Sequence, residues 1–497
     1  MKKTVKDLAG KLANVKIYGD QNRLIADITH DSRQSGEGIL FVCIPGAHVD
    51  GHDFASQAAG NGAVAILAER KLDLLPEVTQ IIVPDVKVAM QSLVPYFYDY
   101  PGQKLRMIGV TGTNGKTTIT YLLRSILRNS GYKVGLIGTI QIMIEDDVLP
   151  IHNTTPDVID LQKTLAKMRE AGVTHVIMEV SSHALAQQRV AGCEFDTAVF
   201  TNLTQDHLDY HKTMENYAMA KALLFDNVSA STAVKQGKAA VINMDDEAGK
   251  LMLAHSQCST ITTYGIDYAG DLRATAIDVK PKGVSFTISG EFGSLTLNLK
   301  ITGIFNVYNV MGAVGAALAE GISPSVIKQA LEASASVPGR FELVDCQQNF
   351  AVIVDYAHTP DGLENILKTA RQITSKRIIT VFGCGGDRDR TKRPIMGRIA
   401  AELSDVVIAT SDNPRSEDPE FILSQVEAGV LPALTGDKQH EKITDRRQAI
   451  ERAIKIAKSG DTVVIAGKGH ENYQILKEKT INFDDKEVAS EAIRGLK

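Results

Sequence analysis

Cysteine is scarce in this chain, with five among 497 residues: Cys43, Cys193, Cys258, Cys346 and Cys384. Their odd number, their scatter and the lack of any CxxC pair exclude a zinc clip or a redox pair and fit the reduced thiols of the cytosol. Glycine and proline, at 40 and 15, are too few for a disordered or collagen-like chain. No apolar run approaches the roughly 18 residues needed to cross a bilayer. Met1-Lys2-Lys3 meets Asp7 before an apolar signal core develops. A cytoplasmic protein without membrane insertion is therefore expected. Neither sign of charge dominates: 54 basic against 59 acidic residues give a net charge of -5. No nucleic-acid partner is expected, and an anionic ligand needs a focused site. What is present is globular, with 44% hydrophobic and 23% charged residues. At roughly 100 to 200 residues per domain, the length predicts about three domains.

The chain reads as an α/β protein in three segments. Residues 1–102 carry short apolar stretches, Ile39–Ile44 and Ala63–Leu67, separated by Gly, Asp and Pro, and predict a small separate α/β module. Pro101-Gly102 punctuates the chain before a strand over Leu105–Val110. Residues 103–337 then alternate regularly. A helix over Lys116–Ser130, a strand over Lys133–Gly138, a helix around Leu161–Ala171 and a strand over His175–Val180 predict a mostly parallel sheet with helices on both faces. Weaker alternation between Ala274 and Ile301 predicts an antiparallel addition before a helix over Asn306–Glu320. Residues 338–497 begin after Pro338-Gly339 with strands over Phe341–Asp345 and Phe350–Asp355. Helices then alternate with buried-type strands at Ile378–Phe382, Val406–Ala409 and Thr462–Ala466, which predicts a second doubly wound, Rossmann-like sheet.

The strongest chemical signal is the turn Gly112-Thr113-Asn114-Gly115-Lys116-Thr117-Thr118 between a strand and a helix. Backbone N–H groups of such a turn and the positive end of the helix cradle phosphates. Lys116 suits the β and γ oxygens, and Thr117 suits Mg²⁺. A standard P-loop has Gly six residues before the Lys, where this chain has Val110. Glu179 and Ser181 close the strand Val176-Ile177-Met178 at its carboxyl end, where open α/β sheets place ligands. Glu179 there suits a hard cation, or is merely a solvated strand end. Asp206, His207, Asp209 and His211 crowd one loop, as ligands or as surface groups. Lys221 sits among Ala218, Ala220, Ala222 and Leu224, a setting in which lysines most often snorkel to the surface. Arg340 and His358 flank the last junction, as ATP contacts or as a hinge ion pair. Asn306 reads first as a helix cap. Arg388, Arg390, Lys392 and Arg393 make a basic run at a sheet's carboxyl edge, either solvated or a carboxylate site.

With its Asn114, the turn resembles the ATP loop of the Mur ligases, the ATP-dependent amino-acid ligases of peptidoglycan synthesis, and the resemblance covers the whole chain. It is carried further by Asp31-Ser32-Arg33 with Asp50-Gly51-His52, by Asn153-Thr154-Thr155-Pro156, by Glu179 through His183 and by Tyr217 through Lys221. In the last segment it is carried by Asp355 through Pro360, Gly386-Asp387-Arg388, Asp412-Asn413-Pro414-Arg415 and Gly467 through Glu471. The resemblance implies that residues 1–102 bind a UDP-sugar, 103–337 bind ATP and 338–497 bind an amino acid. It assigns catalytic roles to Lys116, Lys221, His358 and Arg340, and ATP contacts to Gly112 through Thr118, Asn306, Arg340 and Asp355. UDP-sugar contacts fall on Ser32, Asn153, Thr154, Thr155, Ser181, Gln187 and Arg189. Amino-acid contacts fall on Arg388, Asp412, Asn413, Pro414, Arg415, Gly467 and Glu471. Mg²⁺ ligation falls on Thr117, Glu179, His207 and Lys221, the last as an N6-carboxylysine carbamate.

The implied reaction is ATP-dependent addition of meso-diaminopimelate to UDP-N-acetylmuramoyl-L-Ala-D-Glu through an acyl phosphate. It would serve cell-wall biogenesis and, through it, cell shape and division, with the protein expected to be a monomer. Two readings compete. A folylpolyglutamate synthetase shares the P-loop but lacks the Asp31-Ser32-Arg33 module, and a P-loop switch or motor would hydrolyse ATP without a small-molecule acceptor.

Overall fold

The computed structural model describes residues 2–46, 49–151, 153–230, 235–334 and 336–496. They form two compact units, Met1–Lys116 with Leu127–Thr263 and Gly315–Gly321, and Thr117–Ile126 with Tyr264–Val314 and Ile322–Lys497. The fold is α/β throughout. No helix of the described residues is long and apolar enough to cross a membrane.

The first unit opens with five short strands, β1 (Lys16–Tyr18), β2 (Asp27–Thr29), β3 (Ile39–Val42), β4 (Ala65–Ala68) and β5 (Thr79–Ile82), in the order β1-β5-β4-β3-β2. Strands β2 to β5 are parallel, and β1 runs antiparallel at the edge. Leu40, Phe41, Ile66 and Leu67 are fully buried, as expected of parallel strands covered on both faces. Helix α1 (Val86–Phe97) starts where the Asp85 carboxylate accepts from the Val88 N–H at 2.9 Å.

The larger sheet of this unit comprises β6 (Arg106–Thr111), β7 (Val134–Ile137), β8 (Ile142–Ile144), β9 (Asp147–Leu149), β10 (His175–Glu179), β11 (Thr197–Phe200) and β12 (Ala239–Asn243). Their order is β9-β8-β7-β10-β6-β11-β12. The five strands from β7 to β12 in that order are parallel, and β8 and β9 add an antiparallel hairpin that the sequence pattern did not suggest. Strand β6 comes first in the chain but lies between β10 and β11. The connection leaving β6 crosses toward β7 and the one leaving its neighbour β11 runs the other way to β12, so the crevice beyond their carboxyl ends is the topological switch point where such sheets bind ligands. Helix α2 (Lys116–Asn129) follows β6 directly. Helix α3 (Val158–Glu170) begins at Asp157, whose carboxylate accepts from the N–H groups of Ile159 and Asp160.

The opposite edge of this sheet is held by charge. Asp196, fully buried ahead of β11, accepts from the Met107 N–H at 2.7 Å and faces Arg106 at 3.3 Å, Lys235 at 2.8 Å and Lys238 at 3.5 Å. A buried carboxylate ringed by donors costs much to disrupt, because removing it strands the cations around it.

In the second unit, β13 (Leu272–Lys280), β14 (Gly283–Gly290) and β15 (Gly293–Leu299) form the expected antiparallel meander, with a register shift between Thr275 and Asp278. The strands β16 (Glu342–Leu343), β17 (Ala351–Asp355), β18 (Ile378–Phe382), β19 (Val406–Ala409), β20 (Gln439–Lys442) and β21 (Thr462–Ala466) follow, in the order β16-β17-β21-β18-β19-β20. All are parallel except β16. Fully buried Ile353, Phe382, Ala409 and Val464 pack one face of the sheet, and Val354, Val381, Ile408 and Ile465 the other. The carboxyl ends of β17, β18, β19 and β21 release the segments that carry Asp355, Gly386, Arg415 and Gly467.

Candidate active site

In the first unit, the turn after β6 is drawn tight by its own lysine. Lys116 Nζ donates to the carbonyls of Gly112 (2.9 Å) and Thr113 (2.8 Å). Gly112 has φ +144°, and a Cβ there would meet Thr201 Oγ1 at 1.8 Å, so only glycine fits. The loop after β11 braces the turn. Thr201 Oγ1 donates to the Asn114 carbonyl at 2.6 Å, Asn202 Oδ1 accepts from the Asn114 N–H at 2.9 Å, and Thr113 Oγ1 lies 3.1 Å from the Tyr217 hydroxyl. Thr201 and Asn202 were not singled out in the sequence. Their one signal is their position just past a strand's carboxyl end.

Lys221 is buried, contrary to the surface position its composition suggests. Its Nζ donates to the Gly112 carbonyl at 2.8 Å and lies 4.2 Å from the centre of the Tyr217 ring. Burial, and after it the charge of Lys116, hold the Lys221 amine well below the ordinary lysine range. The neighbouring His207 sits in the left-handed region at φ +53°, with its ring 4.6 Å from that of His183 and 6.1 Å from that of Tyr217. Burial lowers its pKa. His211 Nε2 lies 2.9 Å from Ser182 Oγ, with its ring 5.2 Å from that of Tyr217.

Glu179 ends β10 and is buried. Its carboxylate accepts from the Thr139 N–H and hydroxyl, both at 2.9 Å. Thr154 Oγ1 lies 3.1 Å from Thr139 Oγ1, and Thr155 Oγ1 donates to the Glu179 carbonyl at 2.8 Å while accepting from the Ser181 N–H at 3.1 Å. Arg189 reaches the Thr155 carbonyl at 3.3 Å and pairs with Gln187 Oε1 at 2.7 Å. Thr154, Thr155, Glu179, Ser181, Gln187 and Arg189 thus come together, and Asn153 precedes them, exposed. Ser32 stays within the N-terminal module, donating to Gln57 Oε1 at 2.9 Å on a short turn capped by Asp31.

In the second unit, Arg340 Nη2 donates to Thr117 Oγ1 at 3.1 Å, and its guanidinium lies 5.2 Å from the centre of the Tyr356 ring, in place of a hinge ion pair. Thr118 is buried beside Thr117. The Asp355 carboxylate accepts from the N–H groups of Phe341 (2.7 Å) and Ala357 (2.8 Å), which ties the start of the sheet to Arg340's loop. The rings of His358 and His470 lie 4.6 and 4.8 Å from that of Tyr356. Burial, then the charge of Arg340, push the His470 pKa down to about 4. Asn306 is not a cap: it lies inside the helix Ile304–Ala319, donates to the Thr302 carbonyl at 2.8 Å and accepts from Asn309 at 3.0 Å.

The motifs around Gly386, Asp412 and Gly467 converge at the other carboxyl ends of the same sheet. Arg415 takes a left-handed conformation, φ +52°, and donates through Nη1 to the Gly386 carbonyl at 2.9 Å. It does not pair with Glu417, which Arg393, fully buried, grips through two bonds at 2.9 and 3.1 Å. Asn413 Nδ2 donates to Glu471 Oε2 at 2.9 Å, and Asn413 Oδ1 accepts from the Ile475 N–H at 2.9 Å. Gly467, φ +119°, takes a backbone conformation that L side chains rarely adopt, and a Cβ there would press on Asp412 Oδ2 at 2.7 Å. Pro414 is buried beside them, and Arg388 is exposed. A cavity of about 490 Å³ in this unit lies at the opposite edge of the sheet, lined by Lys282, Leu343, Phe350 and Thr462, away from every motif.

Among the described residues no three His, Cys, Asp or Glu side chains gather closely enough to hold a metal ion by themselves. Mg²⁺ needs no such cage, because it keeps several waters and takes one or two protein oxygens beside phosphate oxygens. Taken each by itself, the buried Glu179 carboxylate of the first unit and the Thr117 hydroxyl of the second have the hard-oxygen chemistry for that. The glycine turn, closed to any side chain and followed by a helix start, fits a nucleotide phosphate.

Three family models match the chain: "Mur ligase family, catalytic domain" over residues 24–98, "Mur ligase middle domain" over 110–317 and "Mur ligase, glutamate ligase domain" over 339–469. A curated relative from Bacillus cereus, UDP-N-acetylmuramoyl-L-alanyl-D-glutamate--2,6-diaminopimelate ligase, is 49% identical over 488 residues, 98% of each chain. A solved structure bearing the same enzyme name is 34% identical, covers 100% of this chain and 99% of its own, and has a TM-score of 0.70. The Thermotoga maritima MurF ligase, solved in complex with ADP, shares the fold at 18% identity with a TM-score of 0.64, covering 95% of this chain and 96% of its own.

Proposed function

We propose, from the premise that this chain belongs to the Mur ligase family, that it joins meso-diaminopimelate to the D-glutamate carboxyl of UDP-N-acetylmuramoyl-L-alanyl-D-glutamate in peptidoglycan synthesis. It is an ATP-dependent ligase. The observation that carries this reading is the full-length similarity to the Bacillus cereus ligase of that name. The division of labour we propose follows the sequence: residues 1–102 take the UDP end, 103–337 the nucleotide and 338–497 the incoming amino acid, in a cytoplasmic monomer without a nucleic-acid partner.

Magnesium-bound ATP, when present, would supply the γ-phosphoryl group and leave as ADP, and the acceptor carboxyl, activated as an acyl phosphate, would release phosphate to the attacking amine. The chain's own residues bind and orient. Lys116, released from the carbonyls it now holds, meets charge developing on the transferring phosphoryl oxygens. Thr117 and Glu179 present oxygens for the metal. Arg340, His358, Asn306 and Asp355 are assigned to the nucleotide, and Ser32, Asn153, Thr154, Thr155, Ser181, Gln187 and Arg189 to the UDP-sugar dipeptide. Lys221 is assigned as the carbamylated lysine. An amine must be neutral to add CO₂, and its depressed pKa supports that role. The carbamate would turn a buried neutral amine into an anion and would offer the metal an oxygen, with Glu179 and His207 as the other assigned ligands. Arg415, Arg388, Asp412, Asn413, Pro414, Gly467 and Glu471 are assigned to the amino acid. Nothing here asks for a protein nucleophile, so positioning and electrostatics supply the rate.

The test is phosphate release from ATP by the purified chain. Release that needs both the UDP-sugar dipeptide and diaminopimelate is expected. Release without either acceptor favours a nucleotide-driven switch, and release that needs a folate and glutamate favours a folylpolyglutamate synthetase. Either result would sink the proposal.

A further inference from the structure

Lys468 lies in the Gly467 to Glu471 motif, and no role has been given to it above. Its side chain is fully buried. Nζ donates to Asn413 Oδ1 at 3.2 Å and to Glu471 Oε2 at 3.0 Å, and it lies 5.4 Å from the centre of the Tyr473 ring. Asn413 Nδ2 closes the triangle on the same Glu471 oxygen at 2.9 Å. One carboxylate oxygen of Glu471 is therefore saturated from inside the protein, and Oε1 lies outside the triangle. A lysine is an expensive way to orient an asparagine, because a buried ammonium is stable only when paired, and a neutral donor would make the same bonds. What the lysine adds is its charge.

We infer that Lys468 sets the charge of the amino-acid pocket, and with it the preference for a substrate tail carrying both a carboxylate and an ammonium over one carrying an ammonium alone. The inference rests on the reading that this pocket takes diaminopimelate. Around it stand three carboxylates, Asp412, Glu471 and Asp485, and three guanidinium groups: the buried Arg446, which pairs with Asp485 and also acts on Asp412 and Glu471, and Arg388 and Arg415 beside Gly385. Lys468 tips that balance to positive. Glu471 is already compensated, so a lone ammonium such as that of L-lysine gains little from it and is repelled by Arg415. A zwitterionic tail is neutral as a whole and escapes the net repulsion: its carboxylate meets Arg415, whose Nη1 bond to Gly386 leaves its remaining N–H groups as donors, while its ammonium faces Glu471. Without the Lys468 charge, Glu471 keeps its bond from Asn413 but loses its ion-pair partner, and the pocket, no longer net positive, repels a lone ammonium less. Lys468 acts through Glu471 and Asn413 and is a specificity-positioning residue rather than a catalytic one.

The experiment measures kcat/KM for meso-diaminopimelate and for L-lysine on the full-length chain, with ATP, magnesium and the UDP-sugar dipeptide. Lys468→Gln removes the charge and retains a hydrogen-bond donor. It is expected to shift the ratio of the two values at least tenfold toward lysine, mainly through KM. Glu471→Gln leaves Lys468 uncompensated and is expected to move the lysine value the other way, which keeps the idea testable if Lys468→Gln does not fold. A folded Lys468→Gln protein whose ratio stays within twofold of the unmodified chain overturns the inference. So does a Glu471→Gln protein that shifts toward lysine. If the unmodified chain forms no product with diaminopimelate, the assignment of the reaction fails first, and this inference with it.

Discussion

Lys116 and Lys221 donate to the same oxygen, the carbonyl of Gly112, at 2.9 and 2.8 Å. Two ammonium groups on one acceptor repel each other. Burial first, and the charge of Lys116 after it, hold the Lys221 amine well below the ordinary lysine range. Each lysine can also replace the other as donor to that carbonyl, which separates what each does for folding from what it does for chemistry.

Lys116→Ala is therefore expected to fold normally, with Gly112 still satisfied by Lys221, and to lose ligation by about 100-fold or more, the scale of removing one preorganised charge from a transition state. Circular dichroism and the phosphate-release assay check both halves. A folded variant with full activity would remove the nucleotide assignment of the turn.

Lys221→Met is expected to be nearly inactive yet more stable. A lysine whose folded pKa lies below its unfolded value of 10.5 binds fewer protons when folded, so it costs stability at every pH below 10.5, most of all below the folded pKa, and the cost fades as pH rises. Removing it should raise Tm at pH 7 by roughly 2 °C or more, with the gain shrinking toward pH 10. Partial rescue of Lys221→Ala activity by a short carboxylic acid would mark the carbamate role, whereas full activity without rescue refutes it.

His470, with its pKa pushed to about 4 from 6.5, works with the same sign over a different window. The unfolded chain takes up a proton between pH 6.5 and 4 that the folded chain refuses, so stability falls as pH drops through that interval. His470→Gln should flatten the fall, by up to about 3 kcal/mol at pH 4. Urea melts at pH 7 and pH 4.5 measure it, and equal losses in both proteins would show that another group is responsible.

Arg415→Ala is expected to erode the preference for meso-diaminopimelate over L-lysine by about 100-fold, because the far carboxylate of the substrate would be buried without a partner. A competition assay with equal concentrations of the two amino acids reads this directly. An unchanged preference would move carboxylate recognition to Arg388 or elsewhere.

Much of the fold is visible in the sequence because parallel strands buried on both faces leave unbroken apolar runs. His175–Glu179, Ile378–Phe382 and Thr462–Ala466 all lie where such runs predict. The hairpin of β8 and β9 and the strand β20 escaped for the converse reason. Gln439-His440-Glu441-Lys442 is entirely polar, and it pairs as a strand only because β19 offers it an edge. In the candidate site, residues inside motifs are legible, since glycine turns and charged clusters stand out. Their supports are not. Nothing local separates Thr201 or Thr139 from any other threonine, and their importance arises only when the chain brings them to Gly112 and Glu179. Lys221 misleads for the same reason, because an alanine-rich helix gives no sign of which face is covered.

The buried Asp196 and its three cations grip the larger sheet of the first unit at the ends of the strands opposite Gly112 and Glu179. Such an arrangement separates foundation from workshop. Sequence drift in the loops past the carboxyl ends can retune what is bound without loosening the clamp beneath. Drift at Asp196 would threaten the whole unit while touching no ligand. A descendant of this chain that acquired a different substrate would be expected to keep the clamp and rewrite the loops.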